Sequence, residues 1–435
     1  MLKPVALSNT KRQHILFHGV ILFIVMLIAS ACTGQSQESS IPEHLNNLQN
    51  LVVIQQNSLP ETSVRFTRDL VINDNDSIKT WFNDVTSGGF AFGGSGWFAG
   101  LEVDDAGKIF IGDRYDNVIH IFDSTGKYLQ RLGGEGRGPG EFTGILDIKI
   151  HSDQLFAFDY FQFRSTFFSL DSHDLIEVRD VYTNRTPDRE ELRGMPSRPV
   201  SLISDDLFIV SYKNEMKNAN YGTENYNLDQ EILVRYYVVD REGKIRSDMI
   251  DELKDMKNIT AVVDGNHLFN LSPLPFLQQP LISVSDKGTI FTANSDEPLI
   301  KMHASNGDYI KAIYIPMEKK AMDRDEIINL FAEDDEENTN LLLHAELPEK
   351  WPALCDIVID DEGRLWVATI TEDEDFMCKW WVLQDTGEPI ATFRWPGNRS
   401  IEKIKNGYVY ARETEVSTGL QTIVRYRIEM DGQDA

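Results

Sequence analysis

The feature that most constrains this chain is an internal repeat of short apolar segments separated by acidic turns that contain glycine. The clearest copy spans residues 101–132, LEVDDAGKIFIGDRYDNVIHIFDSTGKYLQRL. It predicts four successive strands, with glycine at positions 107 and 126 to accept the positive φ of a tight turn. Each copy therefore corresponds to a four-stranded antiparallel meander.

Related segments recur along the chain and begin near Ile145, Leu202, Leu281, Cys355 and Ile401. The sixth copy contains three strands only. A strand-like segment, SVRFTRDLVI at residues 63–72, precedes the first copy, and we expect it to supply the missing strand. Pairing the two ends of the chain in this way closes a ring and leaves no large open sheet edge.

Several predicted strands are apolar on consecutive residues, as in KIFIG (108–112), RLWVA (364–368) and KWWVL (379–383). Strands of this kind must be buried on both faces. A two-layer sandwich would expose one face of each sheet and would show alternation, whereas small sheets packed around an axis bury both faces. We therefore predict an all-β fold, a six-bladed β-propeller of four-stranded antiparallel blades that is closed by an N-terminal strand.

Residues 111–122 (IGDRYDNVIHIF) and the following segment 133–142 (GGEGRGPGEF) resemble an NHL repeat with its Asp and Asn signature and glycine-rich connector. The chain from about residue 63 is similar to the six-bladed β-propeller lipoproteins of Bacteroidota, which implies the same fold. Blades two, three and six lack the signature. The glycines at 133–140 precede a strand and are not followed by a Lys-Ser/Thr pair, so we interpret them as a connector between blades and not as a phosphate site.

The N-terminus has the anatomy of an export signal, with basic residues followed by an apolar run at 19–31. The run ends in Ala-Ser-Ala-Cys, which resembles the lipobox of bacterial lipoproteins and implies lipidation of Cys32. Cleavage without lipidation and an uncleaved anchor are the alternatives. We therefore expect export and lipid anchoring to the outer membrane, and we divide the chain into a signal peptide (1–31), a lipidated tether (32–60) and the propeller (61–435).

The charge of the chain limits its partners. Its 435 residues include 69 acidic and 42 basic residues, for a net charge of −27. A surface this negative repels phosphate backbones, so we predict no nucleic-acid partner. We expect a monomer that contacts the membrane through the lipid anchor only and that binds an envelope protein, peptide or glycan.

Arg114, Tyr115 and Asp116 are candidate ligand-binding residues. They occupy the predicted turn between the second and third strands of the first blade, and such turns project from one face of a propeller. The flanking Asp113 and Asn117 are better explained as structural residues, because short polar side chains in turns bond local backbone groups.

Glu102, Asp147, Asp356 and Glu402 are candidate channel residues, because each lies on or beside the first strand of a predicted blade. Convergence of these residues around calcium or zinc would favour a metal-dependent hydrolase or lyase of the lactonase or amidating-lyase type. The chain contains neither a Gly-x-Ser-x-Gly elbow nor a zinc-protease helix. We predict no cofactor, and we interpret the acidic runs at 333–337 and 372–375 as solvated loops in preference to weak calcium sites.

Two insertions, at residues 254–280 and 318–350, interrupt the repeat. The first contains a proline-rich stretch, and the second predicts one amphipathic helix near residues 323–331 followed by a charged link. Loops of this length are usually functional or disordered, so both insertions are candidate recognition surfaces. Further candidates are aromatic residues that we expect at the rim, Trp97, Trp351 and Trp395.

Cys355 and Cys378 begin the first and third strands of one predicted blade. Strands two apart lie about 9–10 Å from each other, which exceeds disulfide reach unless the strand ends bend together. We therefore predict two thiols.

A non-catalytic binding or scaffold module is the function that we favour for the chain as a whole. The channel enzyme and a purely structural envelope component are the alternatives.

Overall fold

A computed structural model describes residues 41–55, 62–72, 98–180, 187–214, 231–256, 259–269, 274, 276–331, 336–370, 377–414 and 421–430. The predicted signal peptide, Cys32 and Trp97 lie outside these residues. The chain divides into two compact units, residues 1–47 and 48–435. The first unit is described at residues 41–47 only, which contain a short 3-10 helix, Glu43–Asn47.

The second unit consists of six sheets arranged as blades, each with four antiparallel strands in the order of the repeat. Two strands precede the first blade, and the strands as far as the third blade are, in chain order, β1 Leu51–Val53 and β2 Val64–Ile72; β3 Phe98–Val103, β4 Ile109–Asp113, β5 Val118–Phe122 and β6 Tyr128–Gly133; β7 Ile145–His151, β8 Gln154–Asp159, β9 Arg164–Ser169 and β10 Leu175–Asp180; β11 Ser197–Ser204, β12 Leu207–Lys213, β13 Leu233–Asp240 and β14 Asp251–Lys254.

A separate hairpin follows the third blade, and the remaining strands are β15 Thr260–Val263 and β16 Asn266–Phe269; β17 Pro280–Val284, β18 Ile290–Asn294, β19 Leu299–His303 and β20 Tyr309–Tyr314; β21 Leu354–Ile359, β22 Leu365–Ile370, β23 Met377–Leu383 and β24 Pro389–Pro396; β25 Arg399–Lys405, β26 Tyr408–Thr414 and β27 Gln421–Met430. The first strand of each blade contacts the first strand of the next, so β3, β7, β11, β17, β21 and β25 form a complete ring around the axis. The predicted six-bladed β-propeller is confirmed.

The ring is closed by the N-terminal strand, as predicted. Strand β2 pairs antiparallel with β27 and takes the outer position of the sixth blade, with Val64 opposite Met430 and Ile72 opposite Ile423. Arg425 on β27 forms an ion pair with Asp69 on β2, and its guanidinium also donates to the backbone carbonyl of Ser124 in the first blade. Strands β2 and β27 are therefore joined to each other and to the first blade.

Strand β1 adds a fifth strand to the fourth blade, which the repeat did not predict. It runs parallel to β20, with Leu51 opposite Ala312 and Val53 opposite Tyr314. Ile54 is buried in the apolar cluster between the fourth and fifth blades. The fourth blade therefore has five strands, because this short apolar segment covers its outer edge.

Six apolar clusters lie between neighbouring blades, and they form the core of the described ring. Strand β4 shows why consecutive apolar residues are needed. Ile109 and Ile111 join the cluster shared with the sixth blade, whereas Phe110 between them joins the cluster shared with the second blade. Both faces of the strand are buried, as the sequence pattern requires.

The acidic turns form as predicted. In the first turn of the first blade, Gly107 has a φ of 79° and its N–H bonds the carbonyl oxygen of Asp104. The carboxylate of Asp104 also accepts the backbone N–H of Lys108 at 2.7 Å. Glycine meets the positive φ without steric cost, and the aspartate satisfies a backbone donor inside the turn.

The glycine-rich segment 133–142 is a structural connector. Its Glu141 carboxylate accepts the N–H of Gly138 at 2.7 Å, and Arg164 of the second blade donates to the carbonyl oxygens of Arg137 and Gly138. The loop ends in Phe142, which is fully buried. The Glu141 carboxylate thus bonds the backbone of its own loop.

The two insertions pack together into one cap. The second insertion contains two helices, α1 Arg324–Phe331 and α2 Glu336–His344, so the prediction of a charged link after one helix was wrong. Apolar residues of α2 explain the second helix, since Leu341 and Leu342 are buried in a cluster with Ile259, Phe276 and Trp351. This cluster is the cap's own core. No helix within the described residues is long and apolar enough to cross a membrane.

Truncation of a single residue tests closure by β2. Ile72 is buried between the sixth and first blades, so Ile72→Ala should lower the free energy of unfolding by about 2–4 kcal/mol through the cavity that it leaves. Thr67→Ala, at an exposed position of the same strand, is the matched control and should change it by less than about 0.5 kcal/mol. Denaturant unfolding of both variants measures the difference, and equal losses would contradict closure by β2.

Candidate functional site

The ring has two faces, which follow from the alternating strand directions. One face carries the turns between first and second strands, and we call it the first-turn face. The other carries the turns between second and third strands and the connections between blades, and we call it the connector face. The cap lies on the connector face, because both insertions link the last strand of one blade to the first strand of the next.

The four candidate channel residues all lie on inner strands: Glu102 on β3, Asp147 on β7, Asp356 on β21 and Glu402 on β25. The structure brings them together in two pairs from neighbouring blades. Glu102 and Asp147 both contact the ammonium of Lys149 at 3.5 Å. Asp356 and Glu402 form the second pair, and the negative charge of Glu402 acts on Asp356.

Cations that the sequence analysis did not select lie among these carboxylates. Lys403 contacts Glu102 at 2.7 Å, and Arg412 donates to Glu402 at 2.8 Å. Lys149 is two residues from Asp147 on the same strand, and this spacing places both side chains on one face of a β-strand. The spacing of Asp147 and Lys149 is visible in the sequence and could have predicted their contact. The contact of Lys403 with Glu102 joins two different blades and has no such local signal.

Burial shifts the protonation of the channel carboxylates. Desolvation and the neighbouring Glu402 raise the pKa of Asp356 to about 7. Desolvation, opposed by Lys149, also raises the pKa of Asp147. Burial alone would lower the pKa of Lys149, but the charges of Asp147 and Glu102 raise it. The carboxylates of Glu102 and Asp147 therefore share a charged lysine, Lys149, whereas Asp356 exchanges its proton near neutral pH.

A cavity of about 560 Å³ opens at the first-turn face of the channel. Its lining comes from the first, second, fourth and sixth blades and includes Glu102, Lys403 and Lys405. The buried Lys405 crosses the opening, with its ammonium 2.7 Å from Asp105 and 4.0 Å from Asp286. Three blades are thus connected by one lysine, and the opening is polar and charged.

No group of three metal-ligating side chains converges among the residues that the structure describes. The acidic run at 372–375 lies outside those residues, as do positions 333–335, while Glu336 begins helix α2. The four channel carboxylates are divided into two pairs, and three cations are bonded to them. A divalent cation at this place would have to displace these ion pairs.

The predicted rim residues lie in a turn on the connector face. Tyr115 and Asp116 are exposed and Arg114 is half-buried. Asp113 accepts the backbone N–H groups of Tyr115 and Asp116 at 2.8 and 3.1 Å, which is the structural role expected for it. Asp113 therefore fixes the backbone of the turn, and Tyr115, with 52% of its surface accessible, projects from it.

The corresponding turn of the second blade carries exposed aromatic residues that the sequence analysis missed. Tyr160, Phe161 and Phe163 are 40%, 59% and 37% exposed. The ring centroid of Tyr160 lies 5.4 Å from that of Phe161 and 5.9 Å from that of Phe163. Phe161 lies against Gly144, in the connector between the first two blades. We call Tyr115, Tyr160, Phe161 and Phe163 the aromatic patch.

The expected rim tryptophans do not belong to this surface. Trp351 and Trp395 are 1% and 3% exposed, so the prediction that they lie at the rim was wrong. Trp351 packs in the core of the cap, and Trp395 packs between the fifth and sixth blades. Their apolar area stabilises these clusters and is not available to a ligand.

A pH-dependent change in stability tests the environment of Asp356. In the unfolded chain an aspartate loses its proton near pH 3.9, whereas folded Asp356 keeps its proton to about pH 7. Stability contributed by this group is therefore lost as the pH rises across that interval. Asp356→Asn should gain stability relative to the wild type between pH 4.5 and pH 8 in denaturant titrations. Asp153→Asn, in an exposed turn, controls for the lost charge, and a pH-independent difference for Asp356→Asn would contradict this environment.

Comparison with known proteins agrees with the topology. Residues 100–269 match the model of the DUF5128 family, described as a 6-bladed beta-propeller. A member of the DUF4221 family from Bacteroides vulgatus is similar at 10% identity over 85% of this chain and 98% of that chain, with a TM-score of 0.50.

Two further solved structures share less of the geometry. A candidate exported protein from Bacteroides fragilis matches at 11% identity over 87% of this chain and 99% of that chain, with a TM-score of 0.42. Virginiamycin B lyase from Staphylococcus aureus matches at 11% identity over 84% and 99%, with a TM-score of 0.37. No curated protein matches the chain. The ring of blades and the family match over residues 100–269 identify this protein as a six-bladed β-propeller.

Proposed function

We propose that the protein is a non-catalytic binding module of the cell envelope, and that the connector face of the first two blades is its binding surface. The aromatic patch is the observation that carries this proposal. Transfer of a large aromatic side chain from water into an interface lowers the free energy of binding. Tyr, together with Arg, is enriched among the residues that contribute most to protein–protein binding. A protein surface is the partner that this composition supports best.

Hydrogen bonds within the chain hold the two turns that carry the aromatic patch. Asp113 fixes the turn of the first blade through two backbone N–H groups, and Asp159 fixes the turn of the second by accepting the N–H of Gln162 at 2.9 Å. Gln162 also donates to the carbonyl oxygen of Gly136 in the connector between the two turns. A preorganised surface loses less conformational entropy on binding, so these bonds support recognition by the exposed rings.

The ion pairs of the channel favour binding over the alternative of a metal-dependent hydrolase or lyase. A catalytic metal needs several ligands directed at one point, and here Lys149, Lys403 and Arg412 already contact three of the four candidate carboxylates. The contacts of Lys149 and Lys403 with Glu102 also join the inner strands of neighbouring blades. We assign the channel charges a structural role in the ring.

The proposed location is the outer membrane, with Cys32 as the lipid anchor. Strand β1 begins at Leu51 beside the start of β20, where Tyr309 donates to the carbonyl oxygen of Gln49. Tyr309 follows the turn between the third and fourth strands of its blade, at the opposite strand end from the turns of the aromatic patch. The chain therefore enters strand β1 at that end of the blade.

Paired substitutions test the binding surface. Tyr115→Ser with Phe161→Ser should reduce partner capture at least tenfold, because two exposed rings lose their contact area. The control is Leu129→Ser with Ile176→Ser, two residues of similar exposure, 46% and 47%, on outer strands of the same blades. Purified wild-type and variant proteins are each added to membranes of the native cell envelope and photo-crosslinked there. The crosslinked partners are then identified by mass spectrometry.

A protein partner retained by the wild type and the control, and lost from the patch variant, supports the proposal. Capture of the same proteins by all three forms contradicts it. Selective loss of an isolated envelope glycan would contradict the choice of a protein partner while retaining the patch as the binding surface.

Anchoring is tested separately. Cells supplied with a labelled fatty acid should incorporate label into the wild-type chain and into Cys355→Ser, and incorporation should be lost in Cys32→Ser because its acceptor thiol is absent. The Cys32→Ser chain should also move from the membrane fraction to the soluble fraction. Label retained in Cys32→Ser, or absent from the wild type, would contradict lipidation at this residue.

A further inference from the structure

Two buried thiols meet in the fifth blade, although the sequence spacing predicted that they would lie apart. Cys355 is on β21 and Cys378 is on β23, with β22 between these strands, yet their Sγ atoms are 3.3 Å apart. The predicted spacing of about 9–10 Å refers to the strands, and the two side chains approach each other across it as free thiols.

An irregularity in strand pairing explains the approach. Leu354 pairs with Thr369 and Asp356 pairs with Ala368, so Cys355 is an extra residue without a partner in the ladder. A bulge of this kind bends the strand and redirects a side chain. Cys378 pairs with Ile370, the last residue of β22, so the two thiols meet on one face of the sheet near the end of the intervening strand, beside Ala368.

The surroundings of the pair are apolar. Cys355 and Cys378 are 7% and 5% exposed and lie in the cluster between the fifth and sixth blades, with Trp366 and Trp380. Burial, followed by the neighbouring Cys378, raises the pKa of the Cys355 thiol. A protonated, buried thiol is a poor nucleophile, so the folded blade protects this pair from external reagents.

The composition of the chain leaves one pairing for these thiols. The sequence contains three cysteines, and the third is Cys32, for which we propose lipidation. A propeller that folds in an oxidising compartment therefore carries two thiols and one possible intrachain bond.

We propose that Cys355 and Cys378 form an intrachain disulfide that joins the first and third strands of the fifth blade. The inference rests on the proposed export, because export delivers the chain to an oxidising compartment. One cysteine, as a thiolate, attacks a disulfide of a thiol–disulfide oxidant and forms a mixed disulfide. The second thiolate then displaces the oxidant, so two protons and two electrons leave the cysteines and the oxidant becomes a dithiol.

Burial determines when this exchange takes place. Because the folded blade covers both sulfur atoms, the bond forms before the fifth and sixth blades pack together. It then spans 23 positions of the chain and encloses β22. A closed loop lowers the entropy of the unfolded chain, so the oxidised protein should be the more stable form.

The test uses the full chain with Cys32→Ser, which leaves only the two thiols of interest. The chain is unfolded, reduced, and refolded in a glutathione redox buffer. Intact mass should then be 2 Da below that of the reduced form, and denaturation without reductant should expose no thiol to iodoacetamide. The melting temperature should fall by several degrees after reduction. Cys355→Ala and Cys378→Ala are matched controls that each retain one alkylatable thiol, and circular dichroism establishes that they fold.

Two alkylatable thiols per chain after oxidative refolding would overturn the proposal, as would an equal melting temperature with and without reductant. Cells are also quenched in acid and alkylated under denaturing conditions, to determine the state of the thiols in vivo. A bond that forms in vitro but is absent in cells contradicts the proposed export and leaves the pairing itself supported. A bond absent in both overturns the pairing.

Discussion

Burial of both faces of each small sheet against its two neighbours is the interaction on which the rest of this structure depends. A four-stranded blade cannot bury its apolar residues alone, and the alternation of Ile109, Phe110 and Ile111 between two inter-blade clusters shows how the ring meets this requirement. Every blade needs a neighbour on each side, so the last blade must meet the first. Pairing of β2 with β27 provides that closure and covers the exposed edge.

Closure also determines the electrostatics of the axis. Six inner strands are brought side by side, and their acidic residues would repel one another if cations did not lie between them. Lys149 and Lys403 hold Glu102 from two different blades, and Arg412 holds Glu402. Burial, together with the nearby charge of Glu402, raises the pKa of Asp356. The contacts of Lys149 and Lys403 with Glu102 join inner strands of neighbouring blades, while the rings of the aromatic patch are exposed on the connector face.

Prediction from the sequence succeeded where a local pattern determines the outcome, and failed where contacts between distant segments do. The strands of the repeat, the acidic turns and the role of Asp113 follow from short-range rules and were predicted. The tryptophans show the opposite case. Trp351 and Trp395 were placed at a rim, yet both are buried, because burial depends on which segment packs over them. Tyr160, Phe161 and Phe163 were missed for the same reason, since the neighbouring residues in the sequence do not determine whether an aromatic ring is exposed.

The sequence by itself determined the architecture: consecutive apolar residues required sheets buried on both faces, and the count of repeats, with one strand missing at the end, required a ring closed from the N-terminus. Only the tertiary structure decided which side chains meet. It placed Lys403 beside Glu102 of another blade, joined the two insertions into one cap, and brought Cys355 to Cys378 across an intervening strand. Strand periodicity is a property of neighbouring residues along the chain, whereas these contacts depend on the twist, register and bulges of separate segments.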